Sequence, residues 1–155
     1  MITQRKPTAY HANNVIVAKA RMTCWLGHHG QMDRDGRPHA EHSSRVAMRC
    51  KSSIHKVIAY LHDLVEDSDI TISEIQYTFG DRVALAVCLL TKTEGMPRSS
   101  YMEDVCSNYD AIIVKIADIT DNLARLEKDK LLKRAIYHEE LLMLRRALRK
   151  KTYKI

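Results

Sequence analysis

His62, Asp63, Glu66 and Asp67 interrupt what otherwise reads as an apolar helix in "VIAYLHDLVEDSDITISEI", which runs from Val57 to Ile75. His62 and Glu66 stand four residues apart, as do Asp63 and Asp67, so on a helix the two pairs line neighbouring stripes of one polar side. Ile54, Ile58, Leu61 and Val65 recur at four, three and four residues and define the face that packs on a core. Three carboxylates beside an apolar core repel one another, and a helix C-terminus adds to the cost. A divalent cation would relieve that repulsion, and so would exposure of an acidic helix end. This segment alone leaves both readings open.

Two further segments shift the balance toward a metal. "IADITDN" places Asp118, Asp121 and Asn122 on one face of a helix within "AIIVKIADITDNLARL", where a buried, unpaired Asp118 would be expensive. The polar loop "HHGQMDRDGRPHAEH" supplies His28, His39 and His42. His42, His62, Asp63 and Asp118 form a mixed nitrogen and oxygen set that suits Mn²⁺, Fe²⁺ or Zn²⁺ better than Ca²⁺. Such a set leaves positions open for a water and a substrate oxygen. Glu66 and Asp67 lie one helical turn beyond two of these ligands, placed to orient that water and accept its proton.

The elements that must position these groups read as helices throughout. Apolar residues recur at three- and four-residue spacing, and no alternating β-branched run is long enough for a sheet. The pattern predicts helices over about 14–28, 44–50, 53–67, 71–79, 81–91, 100–108, 111–126 and 129–150, with loops at 28–42 and 92–100. Ser52 or Ser53 is the expected cap of the third helix, whereas Thr71 and Glu74 have capping-box spacing and Gly80 closes the fourth. The expected fold is all-α, a single compact bundle of about seven to nine helices covering residues 1–155.

Composition agrees with a soluble, helix-rich globule: 45% hydrophobic and 28% charged residues, with five Gly and three Pro in 155 residues. The net charge of +6 is concentrated in "LRRALRKKTYK", Leu144 to Lys154, where it complements a helix C-terminus or offers a nucleic-acid patch. Cys24, Cys50, Cys88 and Cys106 form no CxxC pair, and no signal peptide or membrane-spanning run accompanies them. They read as reduced thiols of a cytoplasmic protein with no membrane partner.

The ordered motifs resemble the HD-domain phosphohydrolases, within them the RelA/SpoT-type hydrolase domains and especially the single-domain small alarmone hydrolases. The resemblance covers about Val15 to Leu126. It rests on "HHGQMDRDGRPHAEH" for the H-x-G-Q loop and its ligand His, "YLHDLVED" for the HD and ED motifs, "FGDRVALAVCLLTK" for the helix that follows, and "VKIADITDN" for the last metal-binding Asp. It implies an HD-domain helical bundle, metal ligands His42, His62, Asp63 and Asp118, and Mn²⁺ as the usual metal, with Fe²⁺, Zn²⁺ and Mg²⁺ as alternatives. Glu66 and Asp67 are implied as the water-positioning pair and Asn122 as a supporting polar contact. Arg34 falls on a loop position that faces nucleotide phosphates, and Lys115 on one that reaches either phosphate or solvent. His28 and His39 belong to the same substrate-binding loop.

The implied reaction is hydrolysis of the 3′-pyrophosphate of guanosine tetra- and pentaphosphate, with adenosine analogues or a pyrophosphorylated tRNA 3′ end as other substrates. Alternatives are an HD phosphohydrolase acting on deoxynucleoside mono- or triphosphates, or a non-catalytic nucleotide- or RNA-binding module. The length leaves no room for an alarmone synthetase domain, and the sequence is silent on oligomeric state. Four departures bear on substrate choice. Asp33 replaces a common basic residue, His39 a common Tyr, Ser43 a common Pro, and "DITDN" the usual Asp-Arg-x-x-Asn. The two lost basic positions, at Asp33 and within "DITDN", reduce the positive charge available to a guanine alarmone.

Overall fold

A computed structural model describes residues 9–152, and these form nine helices. They are α1 (Ala9–Gly27), α2 (Ala40–Arg49), α3 (Ser53–Leu61), α4 (Leu64–Asp67), α5 (Ile72–Phe79), α6 (Asp81–Leu90), α7 (Arg98–Ser107), α8 (Tyr109–Arg125) and α9 (Leu131–Thr152). No helix among them is long and apolar enough to cross a membrane.

The two apolar helices α3 and α8 sit at the centre. α3 packs against α1, α2, α6 and α8, while α8 also contacts α2, α6, α7 and α9. Val57, Ile58 and Leu61 of α3 meet a core that includes Val87, Val105, Ile112, Val114 and Leu144, all at most 1% exposed. The caps follow the local chemistry. Ser52 Oγ accepts from the His55 amide, Thr71 and Glu74 complete the reciprocal capping box, and Asn108 Oδ1 accepts from the Ala111 amide.

The expected helix over 53–67 is broken, and this corrects the reading of its polar stripes as one continuous surface. His62 Nδ1 bonds the carbonyl of Ala59 at 2.8 Å, an acceptor that a regular helix would offer to the backbone four residues on. Residues 62 and 63 keep right-handed backbone angles, but Asp63 moves to ψ −7° and the chain turns before α4. α1 ends against this turn. A Cβ at Gly27 would lie 2.5 Å from Leu64 Cδ2, so glycine is what allows the approach.

The long polar loop between α1 and α2 also has internal order. Met32 and Pro38 bridge, Asp33 exchanges backbone bonds with Arg37 and Gly36, and Asp33 Oδ1 accepts from the amides of Asp35 and Arg37 at 2.9 Å each. α7 and α8 begin earlier than the periodicity predicts, at Arg98 and Tyr109, because Asn108 caps α8 directly after α7 ends.

Candidate metal centre

The kink between α3 and α4 turns His62 and Asp63 toward α2 and α8. Bonding to Ala59 keeps the proton of His62 on Nδ1, so Nε2 presents a lone pair. That nitrogen is buried and has no hydrogen-bond partner, although Asp63 Oδ1 stands 3.1 Å and Asp118 Oδ1 3.9 Å away. From the first turn of α2, His42 Nε2 lies 3.1 Å from Asp118 Oδ1 and 3.7 Å from Asp63 Oδ2. The four residues expected as ligands therefore converge from three separate elements.

Asp118 is 4% exposed, and its charge is held by three neighbours. Lys115 Nζ donates to Oδ2 at 2.8 Å, Asn122 Nδ2 donates to Oδ1 at 2.7 Å, and His42 completes the set. Burial opposes ionisation of Asp118, yet the Lys115 charge outweighs it and keeps the carboxyl well below its usual range. Asp118 also raises Lys115 against its own desolvation, and the ammonium lies 5.2 Å from the centre of the Tyr101 ring. Lys115 Nζ thus turns to Asp118 rather than out to solvent, and the residue still lines the cleft over the site.

Burial alone would lower the pKa of His42, but the hydrogen bond and charge of Asp118, with the charge of Asp63, lift it to about 9. Its other nitrogen, Nδ1, meets Asp121 Oδ2 at 3.1 Å. Asp121 is 1% exposed and is itself anchored by Arg45 Nε at 3.0 Å and Arg49 Nη2 at 3.4 Å. This carboxylate fixes the ring of His42 so that Nε2 faces Asp63 and Asp118. Its place on the polar face of "IADITDN" was visible in the sequence, but the partner, 79 positions away, was not.

Glu66 and Asp67 lie exposed at the end of α4. Glu66 Oε1 accepts the backbone amide of Lys92 from the loop after α6, and partial burial raises the Glu66 pKa. Asp67 is held through its backbone, where its carbonyl accepts from Gln31 Nε2. His39 Nε2 stands 3.6 Å from both Asp63 Oδ2 and Asp67 Oδ2. His28 stacks behind His39 with ring centres 4.6 Å apart and is only 2% exposed, so it reaches the cleft through His39; the expected direct substrate contact at His28 is corrected.

A cleft of about 500 Å³ opens over this group. Arg34 lies exposed along it, with Lys133 of α9 also in its wall. Arg125, from the last turn of α8, spends its charge differently: Nη2 pairs with Asp33 Oδ2 at 3.1 Å and also contacts Asp35. The replacement of a common basic residue by Asp33 therefore has a structural partner, and it ties the loop to α8.

The donor set fits a divalent ion of the Mn²⁺, Fe²⁺ or Zn²⁺ kind. His42, His62 and Asp63 each offer a ligand atom within 4.8 Å of the others, and the orphaned Nε2 of His62 is a donor atom in search of an acceptor for its lone pair. Asp118 Oδ1 adjoins the set through His42, whereas its Oδ2 belongs to Lys115.

No family model matches the chain. It is similar to a protein of Synechocystis sp. named probable guanosine-3′,5′-bis(diphosphate) 3′-pyrophosphohydrolase, at 30% identity over 139 residues, covering 80% of this chain and 18% of that protein. A guanosine-3′,5′-bis(diphosphate) 3′-pyrophosphohydrolase of Aquifex aeolicus is 35% identical over 95 residues, covering 58% of this chain and 13% of the relative. The chain thus spans under a fifth of the length of these relatives. A solved structure described as a metazoan ortholog of SpoT that hydrolyses ppGpp superposes with a TM-score of 0.69 at 17% identity, covering 94% of this chain and 95% of that one. Ordered motifs, all-α architecture and these relatives together make the chain similar to the HD domains of RelA/SpoT type.

Proposed function

We propose that this domain is a metal-dependent hydrolase that removes the 3′-pyrophosphate of alarmone nucleotides such as guanosine tetraphosphate. The observation that carries the reading is the convergence of His42, His62, Asp63 and Asp118 beneath a cleft whose wall also bears Arg34 and Lys133. The curated relatives named as 3′-pyrophosphohydrolases support it. Mn²⁺ held by these four residues would neutralise the carboxylates and polarise a phosphate oxygen.

The chain's own groups handle substrate and proton. Arg34 and Lys133 attract the phosphates along the cleft wall. Glu66, steadied by the Lys92 amide on Oε1, takes the proton of the attacking water, and its burial-raised pKa brings it closer to that task. Asp67 orients the same water, while Asn122 holds Asp118 in place.

A second reading, a substrate with fewer 5′ phosphates such as a pyrophosphorylated tRNA 3′ end, is favoured by one observation. Arg125 is bound by Asp33 and Asp35, which lowers the positive charge facing a highly phosphorylated guanosine. A Mn²⁺-supplemented product assay across guanosine and adenosine alarmones, ordinary nucleotides and pyrophosphorylated tRNA separates these readings. Pyrophosphate released from a 3′ position is expected with wild type and absent with Asp63→Ala. Turnover of none of these substrates, or equal turnover by Asp63→Ala, rejects the hydrolase reading.

A further inference from the structure

Four imidazoles form a row through the site: His28 and His39 have ring centres 4.6 Å apart, His39 and His42 6.4 Å, and His42 and His62 5.5 Å. Only His42 and His62 belong to the metal set described above. Asp63 stands between the two halves of the row, with Oδ1 on His62 at 3.1 Å and Oδ2 between His42 at 3.7 Å and His39 at 3.6 Å. Asp67 Oδ2 closes the outer half at 3.6 Å from His39 Nε2.

The three contacts at 3.6 and 3.7 Å are too long for hydrogen bonds and too short for the groups to ignore one another. Ligands bound at about 2.1 Å stand roughly 3.0 to 3.4 Å apart around an octahedral or tetrahedral ion, close to the 3.6 Å edges here. His39 Nε2 is shielded from solvent and has no hydrogen-bond partner. Behind it His28, 2% exposed, also keeps an unpartnered Nε2, and its Nδ1 is bound by Gln31, the residue that in turn holds the Asp67 backbone. A buried polar atom left without a partner is costly, and the one on His39 faces both Asp63 and Asp67.

We propose that His39, Asp63 and Asp67 form a second divalent-metal site, with Asp63 as the carboxylate shared between two ions. The proposal rests on the reading of His42, His62, Asp63 and Asp118 as the first set. It adds a ligand role to Asp67, which lies beside the water, and leaves that water's proton to Glu66. The resemblance to RelA/SpoT domains does not supply this site, because His39 stands where Tyr is common. Two ions sharing a carboxylate suit displacement at phosphorus, where charge develops on both attacking and leaving oxygens.

The test is metal stoichiometry of the whole chain, by calorimetric titration with Mn²⁺ and by elemental analysis after desalting, with electron paramagnetic resonance of the loaded protein. Two Mn²⁺ per wild-type chain with a spin-coupled spectrum are expected, falling to one uncoupled ion in His39→Gln and in Asp67→Asn. One uncoupled Mn²⁺ in wild type overturns the second site and leaves the first intact. Two ions that persist in His39→Gln overturn it as well, since the second then lies elsewhere. No bound Mn²⁺ rejects both this site and the metal-dependent reading. The wild-type stoichiometry and spectrum decide the matter even where a variant does not fold.

Discussion

Asp110 and Asp118 stand eight residues apart on α8, both nearly buried and both facing a histidine, yet their surroundings differ in kind. Asp110 receives two bonds from Arg82, at 2.7 and 2.9 Å, and one from His55 Nε2 at 3.0 Å, and His55 Nδ1 is taken by Ser52 Oγ at 2.7 Å. Every buried polar atom of that cluster has a partner. Around Asp118 the carboxylate is equally well held, but across from it His62 Nε2 and His39 Nε2 are left without one. Similar residue types thus make a closed structural clasp in one place and an open donor set in the other. What separates a site from a strut is the unsatisfied remainder.

That contrast is broken most severely by Asp63→Ala, which removes the carboxylate lying between His39, His42 and His62. Mn²⁺ binding by calorimetry and alarmone turnover are both expected to fall to background while circular dichroism stays helical. Next comes Glu66→Gln, expected to lower kcat by about 10²- to 10⁴-fold with Mn²⁺ affinity retained, which steady-state kinetics beside the same titration will show. Asp121→Asn tests whether a closed network serves the open one. With Arg45 and Arg49 still present, replacing the charged acceptor of His42 by a neutral amide should weaken Mn²⁺ binding about 10- to 100-fold.

The Asp110 clasp should behave oppositely. Asp110→Asn is expected to leave Mn²⁺ binding and turnover unchanged and to cost about 2 kcal/mol in urea denaturation, since charged hydrogen bonds are lost at a buried position. The smallest effect is its pH dependence. The hydrogen bond from Arg82 holds the Asp110 carboxyl below its ordinary value of 3.8. A carboxyl with a lowered folded pKa binds protons less readily folded than unfolded, so its stabilisation is complete above that value and fades as pH falls through the lower folded one. The stability gap between wild type and Asp110→Asn should therefore hold from pH 7 to about 5 and narrow below about 4. A gap that widened on acidification would contradict the pairing.

Much of the candidate site was legible because its residues carry local signatures. His62 and Asp63 are adjacent, Glu66 and Asp67 follow within one turn, and Asp118 interrupts an apolar helix, a conflict that periodicity exposes. The direction of Lys115 was left open because it depends on where Asp118 points within the folded helix pair. The break after Leu61 was missed because every residue from Leu61 to Val65 is compatible with a helix, and it is a side-chain bond from His62 to Ala59 that intervenes. Asp121 and Arg125 could be seen as polar residues on α8, but their partners lie in distant segments.

The sequence by itself determined the helical architecture and most caps, because each rests on spacing within one or two turns of chain, and it nominated the candidate metal ligands through polar residues that interrupt apolar helices. Only the tertiary structure decided which nitrogens remain free, which cations are already spent, and that Asp63 stands between two groups of imidazoles. Those outcomes depend on distances between segments that share no local pattern, and burial is what turns such distances into energy.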